Sequence, residues 1–301
     1  MKKIMLFGGS GFIGQSCAQA LLDQGYEPII VTRGLHTYPN IKSIQWDAQN
    51  IGNWIHELKT TDIIINLCGK SVDCVKTPEN CDEILRSRVD TTLLIGKALQ
   101  QINHSPELWI QMSTAHIYGD SETTLCTEDS SSGYGLAPYV GKKWEDAFYK
   151  AVPNHTRKVI LRTSFVLGKN GGAFQILKKL AQYGVGGQAG SGKQGISWIH
   201  EEDLNQIIIN SIENNTYQGV IITSAPKPLS NKQFMQCLRK NLKQKIGIPS
   251  PAWLIRFTSK YILKKDPELI LHGRYVKSNY LEKLKFQFTY PTLEKAIKNL
   301  I

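Results

Sequence analysis

The sequence predicts an α/β protein organised on a doubly wound parallel sheet, followed by a smaller, mainly helical region. Three observations predict that class. Up to Thr163, short apolar runs of strand length alternate with amphipathic stretches of helix length, the pattern of parallel strands joined by right-handed crossovers. The first run, Lys3 to Phe7, leads directly into Gly8-Gly9-Ser10-Gly11-Phe12-Ile13-Gly14, a glycine turn of the strand-to-helix kind. Beyond Ser230 the periodicity is helical, with Phe234, Leu238 and Leu242 spaced by four.

The glycine turn is the stretch around which the chain is organised. It starts a helix near Phe12 with Ile13, Cys17 and Leu21 on one face. The free N–H groups and positive dipole end of a helix N-terminus suit a pyrophosphate. Gly8, Ser10, Gly11, Phe12, Ile13 and Gly14 are therefore candidate dinucleotide contacts, and the first domain reads as an NAD(P)-binding Rossmann fold. The plainer alternative is a tight turn without a ligand.

Glu27 to Val31 reads as the second strand, closing on Thr32-Arg33-Gly34. An acid there, about 20 residues past the glycines, would hold a ribose 2′-hydroxyl; this chain has none. Arg33 offers a planar cation for a 2′-phosphate and Thr32 a hydroxyl donor, which favours NADP, with a solvated arginine as the alternative. Ile41 to Trp46 is the third strand, and Asp47 beyond it is placed for the adenine edge. Asp62 to Leu67 is the fourth, where Leu67, Cys68 and Gly69 let the backbone pass close beneath a cofactor. A helix from about Glu79 to Gln101 follows, then strands at Leu108 to Met112, Lys158 to Arg162 and Gly219 to Thr223. Pro226 and Pro228 mark a change of character. The expected division is 1–225 and 226–301, with 170–200 contributing to a substrate cleft and Leu293, Ala296, Ile297 and Leu300 forming a packed helical stripe.

Composition bounds the function. The formal charge is +11, but the lysines are scattered, thickening only after Lys227, and no RNA-binding aromatic motif accompanies them. The expected partner is a small-molecule substrate, not nucleic acid or membrane. The six cysteines form neither a Cys-x-x-Cys pair nor a zinc-spaced group, so reduced thiols and no metal are expected. The strand beginning at Lys3 leaves no space for a leader, and no apolar run spans a bilayer. A cytoplasmic monomer or homodimer is the expectation.

Tyr139-Val-Gly-Lys-Lys143 places a phenol and an ammonium one helical turn apart. The lysine favours tyrosinate electrostatically and can hold a nicotinamide ribose. Tyr38…Lys42 and Tyr261…Lys265 share the spacing, but only Tyr139 follows a strand at the sheet's carboxyl edge, opening a helix after a 24-residue loop from Thr114, whose hydroxyl can bind the same substrate oxygen.

In these motifs the chain resembles the extended short-chain dehydrogenase/reductase, or NAD(P)-dependent epimerase/dehydratase, superfamily. A narrower resemblance rests on Arg86-Ser-Arg-Val89, Trp144-Glu145, Arg162 through Gly168, Gly171-Gly172, Gly190-Ser-Gly-Lys-Gln194, Trp198-Ile-His200 and Asp203-Leu204. Those stretches are similar to an atypical NADP-dependent subfamily of epimerases, whose C-terminal domain of unknown function resembles Pro249 to Ile301. The resemblance implies that Glu83 and Arg88 also face the cofactor. Nucleotide-sugar enzymes usually carry Asn and Tyr after the sixth strand, where this chain has Thr163-Ser-Phe-Val-Leu-Gly168, which counts against such a substrate. Gly187 to Lys193 mimics a P-loop but ends in Gln194, which cannot ligate Mg²⁺. Candidate substrate contacts are Arg162, Lys193, Trp198 and His200, with core packing the alternative for the last two. The expectation is an oxidoreductase or epimerase with Thr114, Tyr139 and Lys143 as catalytic residues, against a non-catalytic NADP(H)-binding sensor.

Overall fold

The computed structural model describes residues 1–34 and 38–301, apart from the side chains of 262 and 263. Its main sheet has seven parallel strands: β1 (Lys3–Phe7), β2 (Glu27–Thr32), β3 (Lys42–Gln45), β4 (Ile63–Asn66), β5 (Leu108–Thr114), β6 (Arg157–Thr163) and β7 (Gly219–Thr223). Their order is β7-β6-β5-β4-β1-β2-β3. The order reverses beside β1, and the crevice at that switch point is where open α/β sheets bind ligands. Register confirms the layout, with Met5 opposite Ile29 on one side and Ile64 on the other.

The helices are α1 (Phe12–Asp23), α2 (Trp54–Leu58), α3 (Pro78–Gln101), α4 (Leu136–Ala151), α5 (Phe174–Gln182), α6 (Glu201–Glu213), α7 (Asn231–Asn241), α8 (Ala252–Thr258) and α9 (Leu293–Leu300), with single turns at Ser259–Leu263, Glu268–Leu271 and Asn279–Lys283 left unnumbered. Strand side chains alternate between faces, and β1 shows the result. Ile4 and Leu6 point into a core closed by Cys17, Ala18 and Leu21 of α1 and Ile207 and Ile208 of α6. Met5 and Phe7 point the other way, against Trp54, Ile95, Leu99 and Phe148 from α2, α3 and α4. Each such side chain contributes about 1.5–3 kcal/mol on burial, which fixes the register of the strand that delivers the glycine turn.

A third core joins the C-terminal helices to the rest. Phe234 and Leu238 of α7 and Leu293 and Ile297 of α9 pack with Leu167, Phe174 and Trp198. Ser230 starts α7 with a reciprocal capping box to Gln233. Asp203 of α6 accepts from the N–H groups of Thr289 (2.7 Å) and Tyr290 (3.1 Å). Among the described residues no helix is long and apolar enough to cross a membrane, and no His/Cys/Asp/Glu group is arranged to hold a metal.

Two sequence expectations change here. Helix α4 begins at Leu136, not at Tyr139: Gly135, at φ 103°, turns the chain, and Pro138 sits in the first turn, where its missing N–H costs nothing. The 24 residues after Thr114 are also partly regular. They hold a 3-10 turn, Ala115–Tyr118, and a short strand, Leu125–Cys126, paired in parallel with Tyr275–Val276.

Candidate active site

A cavity of about 1100 Å³ lies over the carboxyl ends of β1, β2 and β4. Gly8, Ser10, Gly11, Thr32, Arg33, Asp47, Leu67, Cys68, Gly69 and Glu83 line it, all expected from sequence. Two glycines explain how it forms. A Cβ on Gly8 would stand 3.0 Å from the Cys68 nitrogen, and one on Gly14 2.5 Å from Gly9 Cα. Gly8 therefore lets the β1 and β4 loops approach, while Gly14 lets α1 seat against the turn. A Cβ on Gly11 would meet only Gly8 O, at 3.7 Å, so none of the described residues requires that glycine, and the space above it is open to a ligand.

Helix α1 has no side-chain cap and no acid in its first turn, so its leading N–H groups stay available for an anion. Thr32 donates to Ser10 Oγ at 2.7 Å, tying the end of β2 to the turn. The Arg33 guanidinium is exposed and has no partner among the described residues; only its carbonyl is engaged, by Gln45 at 3.2 Å. Asp47 accepts from the Asn50 side-chain amide at 2.7 Å and from the N–H groups of Gln49 and Asn50, both at 2.8 Å, which holds its carboxyl below the usual range. An uncapped helix start, a side-chain-free glycine and an unpaired arginine fit a phosphorylated dinucleotide: the glycine turn would hold the pyrophosphate and Arg33 the ribose end.

The loop under the cavity is set by buried amides. Asn66 donates to Thr92 Oγ1 (3.0 Å) and Gln111 (3.1 Å) and accepts from the Cys68 N–H (3.1 Å), while Trp144 also donates to Thr92 (3.2 Å). Arg88 stands behind this loop instead of lining the cavity. It donates to the carbonyls of Ile84 (2.9 Å) and Lys70 (3.0 Å) and lies 5.1 Å from the Trp144 ring. Burial brings its guanidinium down to about 10. Phe12 packs its ring against Gly168, Gly171 and Gly172, and Ile13 packs against the core of β1; their side chains do not line the cavity. Sequence reading missed a stripe of α3 along its wall, where Ser87, Thr91 and Leu94 follow Glu83 at helical spacing. The signal was the (i, i+4) periodicity itself. Lys70, paired with Glu83, was missed too.

Thr114, Tyr139 and Lys143 are not among the residues that line this cavity; Tyr139 is 51% exposed on α4, and Lys143 Nζ lies 5.8 Å from its ring. The phenol oxygen has no partner among the described residues. Helix α4 rests on the turn after Thr114: a Cβ on Gly141 would touch Ile117 at 3.3 Å. Thr114 Oγ1 accepts from the His116 N–H at 3.1 Å and keeps its own proton free to donate. Beneath, Glu145 ties three elements together. It accepts from Ser113 Oγ at 2.6 Å and forms a two-pronged pair with Arg162 at 2.9 and 2.8 Å. Arg162 also donates to the Tyr118 hydroxyl at 2.8 Å.

The candidate substrate contacts separate. Arg162 is committed to Glu145 and Tyr118, which makes it a brace between β6 and α4. Trp198 and His200 are each 0% exposed, so no substrate reaches them. Trp198 belongs to the third core. His200 stacks on Tyr290 with ring centroids 3.8 Å apart and accepts from the Glu202 N–H as the cap of α6; burial holds its pKa below the usual value. Lys193 lines a second, smaller cavity with Ser191, Lys232 and Tyr275. The P-loop mimic follows α5, as its sequence context suggested. Arg274 and His116 were not anticipated. Arg274 Nε donates to Gly119 O at 2.8 Å, holding the turn that carries His116. Burial, with Arg274 and Lys76 nearby, keeps that imidazole well below its usual pKa.

The pattern of the NAD dependent epimerase/dehydratase family matches residues 4–222. This chain belongs to that family. A second pattern, a domain of unknown function (DUF1731), matches residues 250–300 of this epimerase/dehydratase family member. Among relatives, the epimerase family protein SDR39U1 of Mus musculus is 31% identical over 306 residues, covering 99% of both chains. Epimerase family protein YfhF of Bacillus subtilis (strain 168) is 31% identical over 301 residues, covering 99% of this chain and 97% of that one. The crystal structure of human epimerase family protein SDR39U1 (isoform2) with NADPH is similar with a TM-score of 0.86 at 28% identity, covering 99% of this chain and 98% of that chain.

Proposed function

We propose that this chain is an NADP-dependent oxidoreductase or epimerase acting on a carbonyl or alcohol carbon of a small molecule. The observation that carries the reading is the open Tyr139–Lys143 pair on α4, packed beside the turn that follows Thr114. When bound, the nicotinamide supplies or accepts the hydride. Tyr139 Oη gives its proton to the substrate oxygen in reduction and takes it back in oxidation. The Thr114 hydroxyl donates to the same oxygen and orients it. The Lys143 ammonium favours the tyrosinate that results and holds the ribose. Arg33, with no acid at the end of β2, selects the 2′-phosphate. The NADPH held by human SDR39U1 supports the choice of NADP.

The test is a screen of carbonyl compounds for NADPH oxidation, repeated on the best substrate with variants. Tyr139→Phe should lower turnover by about 10²–10⁴-fold, the usual contribution of general acid–base catalysis, while NADPH affinity is nearly preserved. Lys143→Ala should weaken NADPH binding as well. Unchanged turnover in Tyr139→Phe removes the assignment. Silence across the screen with NADPH still bound favours a sensor.

A further inference from the structure

Helix α8 faces the wrong way for a globular protein. Ile255 and Ser259, one turn apart, are the buried stripe of this helix and its π-turn continuation, Ser259–Leu263. On another face, Trp253, Phe257 and Tyr261 are 69%, 55% and 63% exposed at the same four-residue spacing, with Leu254 open beside them. Phe257 and Tyr261 touch, with ring centroids 5.3 Å apart. Upstream, Ile246 and Ile248 are exposed as well. Water contact across so much aromatic and aliphatic surface is unfavourable and marks an interaction site.

The charge around it is one-sided. From Lys227 to Lys265 the chain carries ten Lys and Arg and no Asp or Glu, nearly all of its formal excess of +11. Arg256 pairs with Glu268 at 3.2 Å and Lys265 with Asp73. Lys240, Lys243, Lys245, Lys260 and Lys264 pair with no carboxylate among the described residues. Lys260 Nζ lies 5.3 Å from the Tyr261 ring, at the edge of the aromatic stripe.

We propose that this face docks on an anionic lipid bilayer surface, with Trp253, Phe257 and Tyr261 at the boundary of headgroups and acyl chains and the lysines on lipid phosphates. An apolar aromatic stripe edged by cations is the composition of helices that lie in a membrane interface, and basic residues near an anionic leaflet each add to the attraction. A second copy of the chain is disfavoured by symmetry: a two-fold interface through this stripe sets Lys260 and Lys264, which have no carboxylate partner among the described residues, against themselves. Nucleic acid accounts for the cations and the rings but gives Leu254, Ile246 and Ile248 nothing to bury against. The expectation of no membrane partner rested on scattered lysines; the stretch where they thicken, after Lys227, is also the one that carries the exposed aromatic stripe.

The test uses the whole protein and sedimented vesicles. Vesicles of equimolar phosphatidylcholine and phosphatidylglycerol should carry the protein down, phosphatidylcholine alone should not, and salt of about 0.5 M should release it as charges are screened. Trp253→Ser with Phe257→Ser, and separately Lys260→Glu with Lys264→Glu, should each lower partitioning roughly tenfold or more. Both double variants should bind NADPH as the wild type does, which shows that they fold. Absence of sedimentation with anionic vesicles, or sedimentation unchanged in both variants, overturns the proposal. So does self-association, or tighter binding to single-stranded RNA, that Trp253→Ser with Phe257→Ser abolishes while vesicles are ignored.

Discussion

At the scale of single residues, charge and its absence decide most of what the site can do. Arg33 follows β2 with its guanidinium unpaired among the described residues, where a cofactor with a free ribose hydroxyl would need an acid. Purified protein is expected to bind NADPH at least tenfold tighter than NADH, about 1.4 kcal/mol, and Arg33→Ala should erase most of that gap. Calorimetry giving equal affinities for the wild type would refute the assignment. This residue was legible because a missing acid at a known offset is a sequence fact. Arg162, Trp198 and His200 were not, since a motif fixes identity but not direction. Arg162 turns to Glu145, and His200 spends Nδ1 on the first turn of α6. Nothing in their spacing distinguishes a side chain facing the cleft from one facing the core.

At the scale of elements, the glycine turn separates ligand-driven from packing-driven requirements. Gly11→Val should leave thermal stability close to wild type, because its side chain meets no neighbour closer than Gly8 O, yet abolish quenching of NADPH fluorescence. Gly14→Ala should do the reverse in origin: its Cβ strikes the Gly9 backbone at 2.5 Å, so α1 must shift and stability should drop by about 1–3 kcal/mol. Differential scanning fluorimetry with and without NADPH distinguishes the two, and equal melting losses would show that Gly11 is a packing residue. Strands β1, β2, β4, β5, β6 and β7 were all legible because each is a continuous apolar run buried on both faces. Helix α4 was misplaced by three residues, since Gly135 and Pro138 leave little apolar periodicity in the first turn. The turn after Thr114 and the strand Leu125–Cys126 were invisible for a different reason: their partners are distant in the chain.

At the scale of the whole molecule, two imidazoles, one buried and one half-buried, link stability to pH. His200 and His116 are both held below the ordinary histidine value, the first mainly by burial and the second by burial together with Arg274 and Lys76. In the unfolded chain both take up a proton near pH 6.5. The unfolded state therefore binds more protons, and stability present above pH 6.5 is lost as pH falls below it. Each contributes a slope of up to about 1.4 kcal/mol per pH unit. Urea unfolding at pH 7.5 and 5.5 should show the loss, and His200→Gln should flatten the slope even if it lowers stability throughout. A slope unchanged by that substitution would mean His200 charges freely in the folded protein.

The loop carrying His116 and leading to Tyr139 is held from the far end of the chain. Gly119 O receives Arg274, Asp120 receives the Gly273 N–H at 2.6 Å, and Glu128 receives the Asn279 N–H at 3.0 Å. Synthesis runs from the N-terminus, so β1, its glycine turn and most of the sheet leave the ribosome well before residues 273–279 do. During that interval the dinucleotide cavity has its walls while the loop beside Tyr139 lacks its fasteners. The cavity over β1, β2 and β4 is thus walled before the loop leading to Tyr139 is fastened, and on the proposed reading completion of the last segments sets the moment at which that side closes.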